Sequence, residues 1–196
     1  LNPWQRQAFQ REQILNNINL ATDNDLILFS DPDEIPNLVN FKKIKFKKKY
    51  IIFLQDLFYY KLNIKEVGFG NNWEGTRGCL KKHLKSIDYM RQKVLKKNLK
   101  YGFWRIDKER NLQILENGGW HFSYLLTPIE IRRKIQTFAH NELNKKKYTN
   151  LNNIKSCIKR FKDLFHREAK FKKVKIDYSF PKYIFKNRKK LTRWIV

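Results

Sequence analysis

With 196 residues, of which 41% are hydrophobic and 15% aromatic, the chain is long enough to fold around a hydrophobic core. It has no apolar run of about 18 residues and no signal-peptide pattern, which excludes a membrane-spanning helix in this sequence and leads us to expect a cytoplasmic protein. Its net charge of +25 suggests an anionic partner, but lysines outnumber arginines 31 to 12, and base-reading proteins favour arginine.

The charge is unevenly distributed along the chain. Residues 1–40 carry 2 basic and 6 acidic side chains, whereas residues 145–196 carry 18 basic and 3 acidic ones. The basic end has two open interpretations, a solvated lysine-rich face or a surface that contacts anions. The acidic side chains gather at the other end, where the motifs below suggest chemistry.

The first half of the chain reads as a helix followed by strands. Apolar spacing predicts an amphipathic helix over residues 3–20, with Pro3 in its first turn. Residues 26–29 form a short apolar run, typical of a strand buried on both faces, and residues 30–36 form the loop after it. Aromatic and β-branched residues predict a long strand over 50–62, and Gly68, Gly70, Asn71 and Asn72 end this region of the chain.

The second half predicts further strands and then helices. Residues 79–100 have a weak helical pattern, and strands are predicted at 103–106, 112–115 and 120–125. Thr127 and Pro128 form a helix-start signal before a helix over 129–138, and another helix is predicted over about 150–166. The sequence therefore predicts an α/β fold in a single domain, residues 1–196.

Asp31 and Asp33 follow the predicted strand 26–29 directly. Open α/β sheets bind ligands beyond the carboxyl ends of their strands, and two carboxylates there suit Mg²⁺ or Mn²⁺ bound to a diphosphate. A loop that only caps a helix is the alternative. Phosphatases that use the first Asp of such a motif as nucleophile need a further acidic pair downstream, which this chain lacks, and no P-loop is present.

A second cluster follows the double glycine at 118–119. Trp120 and His121 stand among large aromatic residues, where glycine permits close backbone approach, aromatic faces stack on sugars and imidazole binds metals. A core strand with one hydrogen-bonded histidine is the alternative. His140 and Glu142 form a titratable pair further along the chain.

Taken together, these motifs resemble glycosyltransferase family 17. The resemblance rests on the sequences SDPDEIP at 30–36 and GGWHFSY at 118–124, on residues 134–142, and on PKYI at 181–184 with Asn187. The motifs occur in the family's order and span nearly the whole chain, so together they are more specific than any one alone.

The resemblance implies a hexosyltransferase of the β-1,4-N-acetylglucosaminyltransferase type with a GT-A-like mixed sheet flanked by helices. It implies a nucleotide-sugar donor, UDP-N-acetylglucosamine, a glycan acceptor, a divalent cation and transfer with inversion. Arg11 matches the arginine that reaches the donor nucleotide. The family's first nucleotide-binding strands have no counterpart here, so two expectations stand: an N-terminally incomplete domain, or a complete one with a trimmed donor site.

These expectations assign a role to each candidate side chain. Asp31 and Asp33, joined by His121, hold Mn²⁺ or Mg²⁺. Glu142 is the first candidate for the general base that activates the acceptor hydroxyl, and Glu34 is the second. The remaining candidates bind donor or acceptor: Arg11, Trp73, Trp120 and His140.

A non-catalytic function is the rival hypothesis. The basic final third, with its interleaved aromatic residues, is also typical of a module that binds nucleic acid or an anionic surface. For the enzyme we expect no nucleic-acid partner, while peripheral contact with anionic surfaces stays open.

Overall fold

The computed structural model describes residues 2–39, 41, 44–68, 72–167 and 169–196, which form a mixed α/β fold as predicted. The strands described are β1 (Leu26–Phe29), β2 (Glu34–Pro36), β3 (Tyr50–Tyr59), β4 (Ile64–Glu66), β5 (Asn72–Leu80), β6 (Leu112–Ser123) and β7 (Phe171–Lys173). The α-helices are α1 (Pro3–Glu12), α2 (Ile87–Lys93), α3 (Pro128–Thr137), α4 (Lys146–Thr149), α5 (Leu151–Arg160) and α6 (Lys182–Asn187). Among the described residues, no helix combines the length and apolar character needed to cross a bilayer.

The chain divides into two compact units. The first contains Leu1–Gln55 and Trp73–Gly119, and the second contains Asp56–Asn72 and Trp120–Val196. Each unit has its own buried hydrophobic residues, so each is described separately.

In the first unit, β1 pairs antiparallel with β5, with Leu26 opposite Leu80 and Phe29 opposite Arg77. The strand at 26–29 is confirmed, but its expected burial on both faces is wrong. β1 is the terminal strand of its sheet, and only Phe29 is buried. On the other side, β5 adjoins β3, and β2 pairs with β6 within the predicted loop 30–36.

The helix predicted over 79–100 is wrong in its first part. Residues 72–80 form β5. Its Gly75 and Gly78 do not contribute to an apolar pattern, but they allow neighbouring strands to pack closely. A Cβ on Gly78 would lie 2.5 Å from Leu28 Cδ2. α2 begins only after Ser86, whose side chain accepts a hydrogen bond from the N–H of Tyr89. The apparent helical pattern over residues 79–100 therefore covered the end of β5 and the shorter helix α2.

Other predicted bounds also changed. The first helix ends at Glu12 and continues as a 3₁₀ helix over Gln13–Asn17. The strand predicted at 103–106 is wrong, because this segment is an exposed turn. The strands predicted at 112–115 and 120–125 are one strand, β6. The long strand predicted over 50–62 is β3, which ends at Tyr59. Of the glycines and asparagines predicted to end this region, Gly70 and Asn71 lie outside the described residues.

In the second unit, β4 lies between β3 and β7 and is antiparallel to both, with Phe58 opposite Lys65. The Thr127 start signal is confirmed, since its side chain and that of Glu130 form a capping box at α3. α5 ends earlier than predicted because Phe161 adopts a left-handed conformation, with φ 50°. The helices α3 and α5 pack on each other and contribute Ile131, Ile135 and Ile154 to the core.

Candidate active site

The Asp31 turn in the first unit is closed by reciprocal hydrogen bonds. The Glu34 N–H donates to the Asp31 carbonyl at 3.0 Å, and the Asp31 N–H donates to Glu34 Oε2 at 3.1 Å. Pro32 occupies the second position of the turn, which its fixed φ suits. Before the turn, Ser30 Oγ lies 2.7 Å from Thr76 Oγ1 on β5, which ties the end of β1 to its neighbour.

Glu34 anchors the turn from inside. Its side chain is fully buried, and Oε1 accepts hydrogen bonds from Arg91 Nη2 at 2.8 Å and from Trp73 Nε1 at 2.7 Å. With Oε2 accepting from Asp31, both carboxylate oxygens have donors. The pairing compensates the cost of burying this charge.

Arg91 is the residue that connects Glu34 with Asp31. Its Nη2 atom also donates to Asp31 Oδ2 at 2.7 Å, while Nη1 donates to the Gly75 carbonyl at 2.8 Å. Arg91 therefore joins α2, β5 and the Asp31 turn. The sequence predictions did not include it, although Ile87, Met90, Arg91 and Val94 follow helical spacing and put an arginine on an apolar face, a signal of a paired buried charge.

Arg11 approaches Asp31 from α1. Its Nη2 atom lies 3.6 Å from Asp31 Oδ1, and its Nη1 atom lies 3.1 Å from Asp88 Oδ1. In turn, the Asp88 N–H donates to Glu12 Oε1 at 2.8 Å, so α1 and the start of α2 are joined twice. The structure thus brings Arg11 to the acidic turn, while its predicted contact with the donor nucleotide stays a prediction.

A third buried arginine, Arg77, lies in the same part of the first unit, with its Nη2 atom 3.6 Å from Glu74 Oε2. It donates to the carbonyls of Val94, Glu74 and Gly75. Burial, together with the neighbouring charge of Arg91, lowers the pKa of Arg77 to about 10. Guanidinium groups at the Asp31 turn suit a phosphate-bearing ligand.

Asp31 and Asp33 differ from Glu34 in exposure. The Asp31 side chain is 28% exposed, Asp33 is half-buried, and Glu34 is inaccessible. Within the described parts of the chain, no three His, Cys, Asp or Glu side chains form a group that could hold a metal ion by themselves. A cation at this turn would need further ligands from a substrate.

The double glycine has a different structural role from the one predicted. The Asn37 N–H donates to the Gly118 carbonyl at 2.8 Å, and a Cβ on Gly119 would lie 2.1 Å from the carbonyl oxygen of Ile35. Gly119 has φ +135°, which only glycine adopts readily. The close approach is between β6 and the exit of the Asp31 turn.

The other predicted site residues lie in the second unit. Trp120 is partly buried and His121 is buried in β6, where Trp120 packs with a cluster that includes Phe58 and Phe122. His140 Nδ1 lies 2.6 Å from Glu142 Oε1, and this hydrogen bond lowers the pKa of Glu142. This pair is exposed.

The structure thus brings Arg11, Asp31, Glu34 and Trp73 into one network. Trp73 donates its indole N–H to Glu34, and its ring centroid lies 6.0 Å from the Arg91 guanidinium carbon. The residue is 38% exposed, and its sugar-stacking role stays a prediction. Through Arg91, the network joins four segments of the first unit: α1, the Asp31 turn, β5 and α2.

The family model for glycosyltransferase family 17 matches residues 1–190. The chain belongs to glycosyltransferase family 17. No curated protein and no solved structure matches it significantly. Family 17 is a hexosyltransferase family of N-acetylglucosaminyltransferases, so this family 17 chain is an enzyme that transfers a sugar from a donor to an acceptor. The family match therefore favours an enzyme over the alternative of a non-catalytic module that binds nucleic acid or an anionic surface.

Proposed function

We propose that this family 17 enzyme transfers N-acetylglucosamine from UDP-N-acetylglucosamine to a glycan hydroxyl with inversion, on a GT-A-like fold. The observation that carries the proposal is the Asp31 carboxylate, partly exposed and held between Arg91 and Arg11 after a β-strand. Such an arrangement presents oxygen ligands and positive charge together. A metal-bound nucleotide diphosphate needs both.

The oxygen atoms of the Asp31 turn fit a hard divalent cation. Mg²⁺ and Mn²⁺ are commonly held by one or two carboxylates plus substrate phosphates, and Asp31 and Asp33 supply that number. Because Arg91 donates to Asp31 Oδ2 at 2.7 Å while Arg11 is 3.6 Å from Oδ1, Oδ1 is the more available oxygen. When bound there, such a cation would supply positive charge against a departing diphosphate. His121 stays a prediction as a further ligand.

The arginines orient and stabilise the donor in this proposal. Arg91 is locked by Glu34 and by the Gly75 carbonyl, so its charge is fixed before a ligand arrives. Preorganised charge of this kind stabilises developing negative charge without reorganisation. Arg11, 9% exposed at its side chain, supplies a second positive charge beside Asp31.

The acceptor hydroxyl needs a general base, for which Glu34 and Glu142 are the two candidate carboxylates. Both oxygens of Glu34 already accept hydrogen bonds from Arg91, Trp73 and Asp31, which suits a positioning role better than proton abstraction. Glu142 has an exposed carboxylate, and the hydrogen bond with His140 favours its ionised form. We keep Glu142 as the proposed base.

Turnover of UDP-N-acetylglucosamine with Mn²⁺ tests the proposal. We expect UDP release in the presence of a glycan acceptor panel, and a loss of about a hundredfold or more in Asp31→Asn and Asp33→Asn. Asp23→Asn, an exposed aspartate of the same unit, is the matched control and should keep full activity. Turnover that survives in both site variants would overturn the proposal.

A further inference from the structure

The segment between α2 and β6 exposes several large apolar side chains in the first unit. Phe103 is 84% exposed, Trp104 70% and Ile106 96%. We call these three residues the apolar tip. Scattered apolar residues are ordinary on protein surfaces, but three large ones within four positions of a turn mark an interaction site.

Hydrogen bonds within the segment hold the apolar tip in place. Asn98, buried at the base of the segment, donates through Nδ2 to the carbonyls of Lys93 at 2.7 Å and Glu109 at 3.1 Å, which joins its two ends. Within the turn, the N–H groups of Arg105 and Ile106 donate to the carbonyls of Gly102 and Trp104. These backbone groups are satisfied internally, so their removal from water costs little.

The two aromatic rings of the tip are also ordered. Phe103 and Trp104 form an edge-to-face pair with centroids 5.4 Å apart. The Trp104 ring covers Gly102, where a Cβ would lie 2.3 Å from it. Only glycine at 102 permits this ring position, and the ordering lowers the entropy cost of binding.

Positive charge surrounds the apolar tip. Residues 93–110 contain seven basic and two acidic side chains. One of the acids, Asp107, is paired with Arg105 at 2.7 Å and with Lys108 at 3.2 Å, and these pairs hold the pKa of its carboxyl well below the ordinary value. The lysines of the 3₁₀ helix over Lys96–Lys100 are exposed.

From this combination we propose that the apolar tip is a membrane-docking loop that inserts shallowly into the interface of an anionic lipid bilayer. Tryptophan and phenylalanine favour the bilayer interface, and lysines around them attract anionic headgroups. A nucleic-acid platform is less well matched, because the Trp104 face is already covered at Gly102 and Ile106 offers no stacking surface. The tip also lacks the polar side chains that would fix sugar hydroxyls.

Vesicle binding by the full chain tests the proposal. The wild type should co-sediment with phosphatidylcholine vesicles that contain phosphatidylserine and bind pure phosphatidylcholine much more weakly. The triple variant Phe103→Ser, Trp104→Ser, Ile106→Ser should bind the anionic vesicles about a hundredfold more weakly. The double variant Leu20→Ser, Val39→Ser removes two exposed apolar side chains of the same unit and should bind like the wild type.

Tryptophan fluorescence quenching tests the same proposal without the triple variant, in case that variant folds poorly. Lipids brominated on their acyl chains should quench part of the tryptophan fluorescence of the wild type, and Trp104→Phe should lose most of that quenching while it still binds. The proposal is overturned if the wild type ignores anionic vesicles, if the triple variant binds them like the wild type, or if Trp104→Phe is quenched equally. If the wild type does not bind vesicles but binds single-stranded DNA, and the triple variant loses that DNA binding, the apolar tip is assigned to nucleic acid instead.

Discussion

Arg91 Nη2 lies 2.7 Å from Asp31 Oδ2, and the same nitrogen donates to the buried Glu34 carboxylate. One guanidinium therefore positions the exposed carboxylate of the site and compensates the charge of the inaccessible one. This relationship couples the stability of the first unit to the geometry of its functional turn.

Removal of Arg91 should be strongly destabilising. Arg91→Met leaves Glu34 buried without its cation, and we expect a loss of about 3–5 kcal/mol in the free energy of unfolding. Denaturant titration measures it, with Arg133→Met, at an exposed position, as a control that should change stability by less than about 0.5 kcal/mol. In Arg91→Met, Glu34→Gln the loss should be smaller than the sum of the single variants. If the losses in the two single variants add up to the loss in the double variant, the coupling between Arg91 and Glu34 is contradicted.

Trp73 should contribute through its indole N–H. Trp73→Phe keeps a ring but removes the 2.7 Å hydrogen bond to Glu34, and we expect a cost of about 1–3 kcal/mol because a buried carboxylate loses a donor. Trp104→Phe, at an exposed indole, serves as the matched control and should be nearly neutral. Equal stability of the two variants would argue against a structural role for the Trp73 bond.

Gly119 should not accept a side chain. In Gly119→Ala the new Cβ meets the Ile35 carbonyl oxygen at 2.1 Å in a φ region that alanine avoids, so β6 and the exit of the Asp31 turn must move apart. We expect a loss of at least about 3 kcal/mol in denaturant titrations. Glu116→Ala, an exposed position of the same strand, should be tolerated. A stable Gly119→Ala protein would show that the turn and β6 can separate freely.

Because of Tyr60, the free energy of unfolding should fall as the pH rises above 10. Burial raises its pKa above the ordinary value of 10, while its hydroxyl donates to the Lys162 carbonyl. The neutral form is favoured in the folded state, so this contribution is fully present below pH 10 and is lost as pH rises toward the folded pKa. Each pH unit in that window costs about 1.4 kcal/mol. The stability difference between wild type and Tyr60→Phe should therefore narrow above pH 10, and a constant difference would contradict this prediction.

Some of the site was accessible from sequence because its signals are local. The apolar run before Asp31, the second carboxylate at Asp33 and Pro36 at the exit of the loop are neighbours in the chain, so one short segment carries all three signals. The helix start at Thr127 is equally local, because its capping box needs only Glu130.

The rest depends on contacts between distant segments. β5 went unrecognised because Gly75 and Gly78 suit close strand packing rather than any apolar pattern. Arg91 was missed because its partners lie about 60 positions away along the chain, and no spacing rule connects them. For the same reason, the bond between Trp73 and Glu34 could not be predicted from the sequence.

The central claim is that the Asp31 turn binds the diphosphate of the donor, and calorimetric titration of UDP into the full chain tests it most directly. We expect binding in the presence of Mn²⁺, affinity at least about tenfold weaker in Asp31→Asn, and unchanged affinity in Asp23→Asn. Since Arg91 keeps its pairing with Glu34 in Asp31→Asn, the variant should stay folded. Equal affinity of Asp31→Asn and wild type for UDP with Mn²⁺ would contradict the claim.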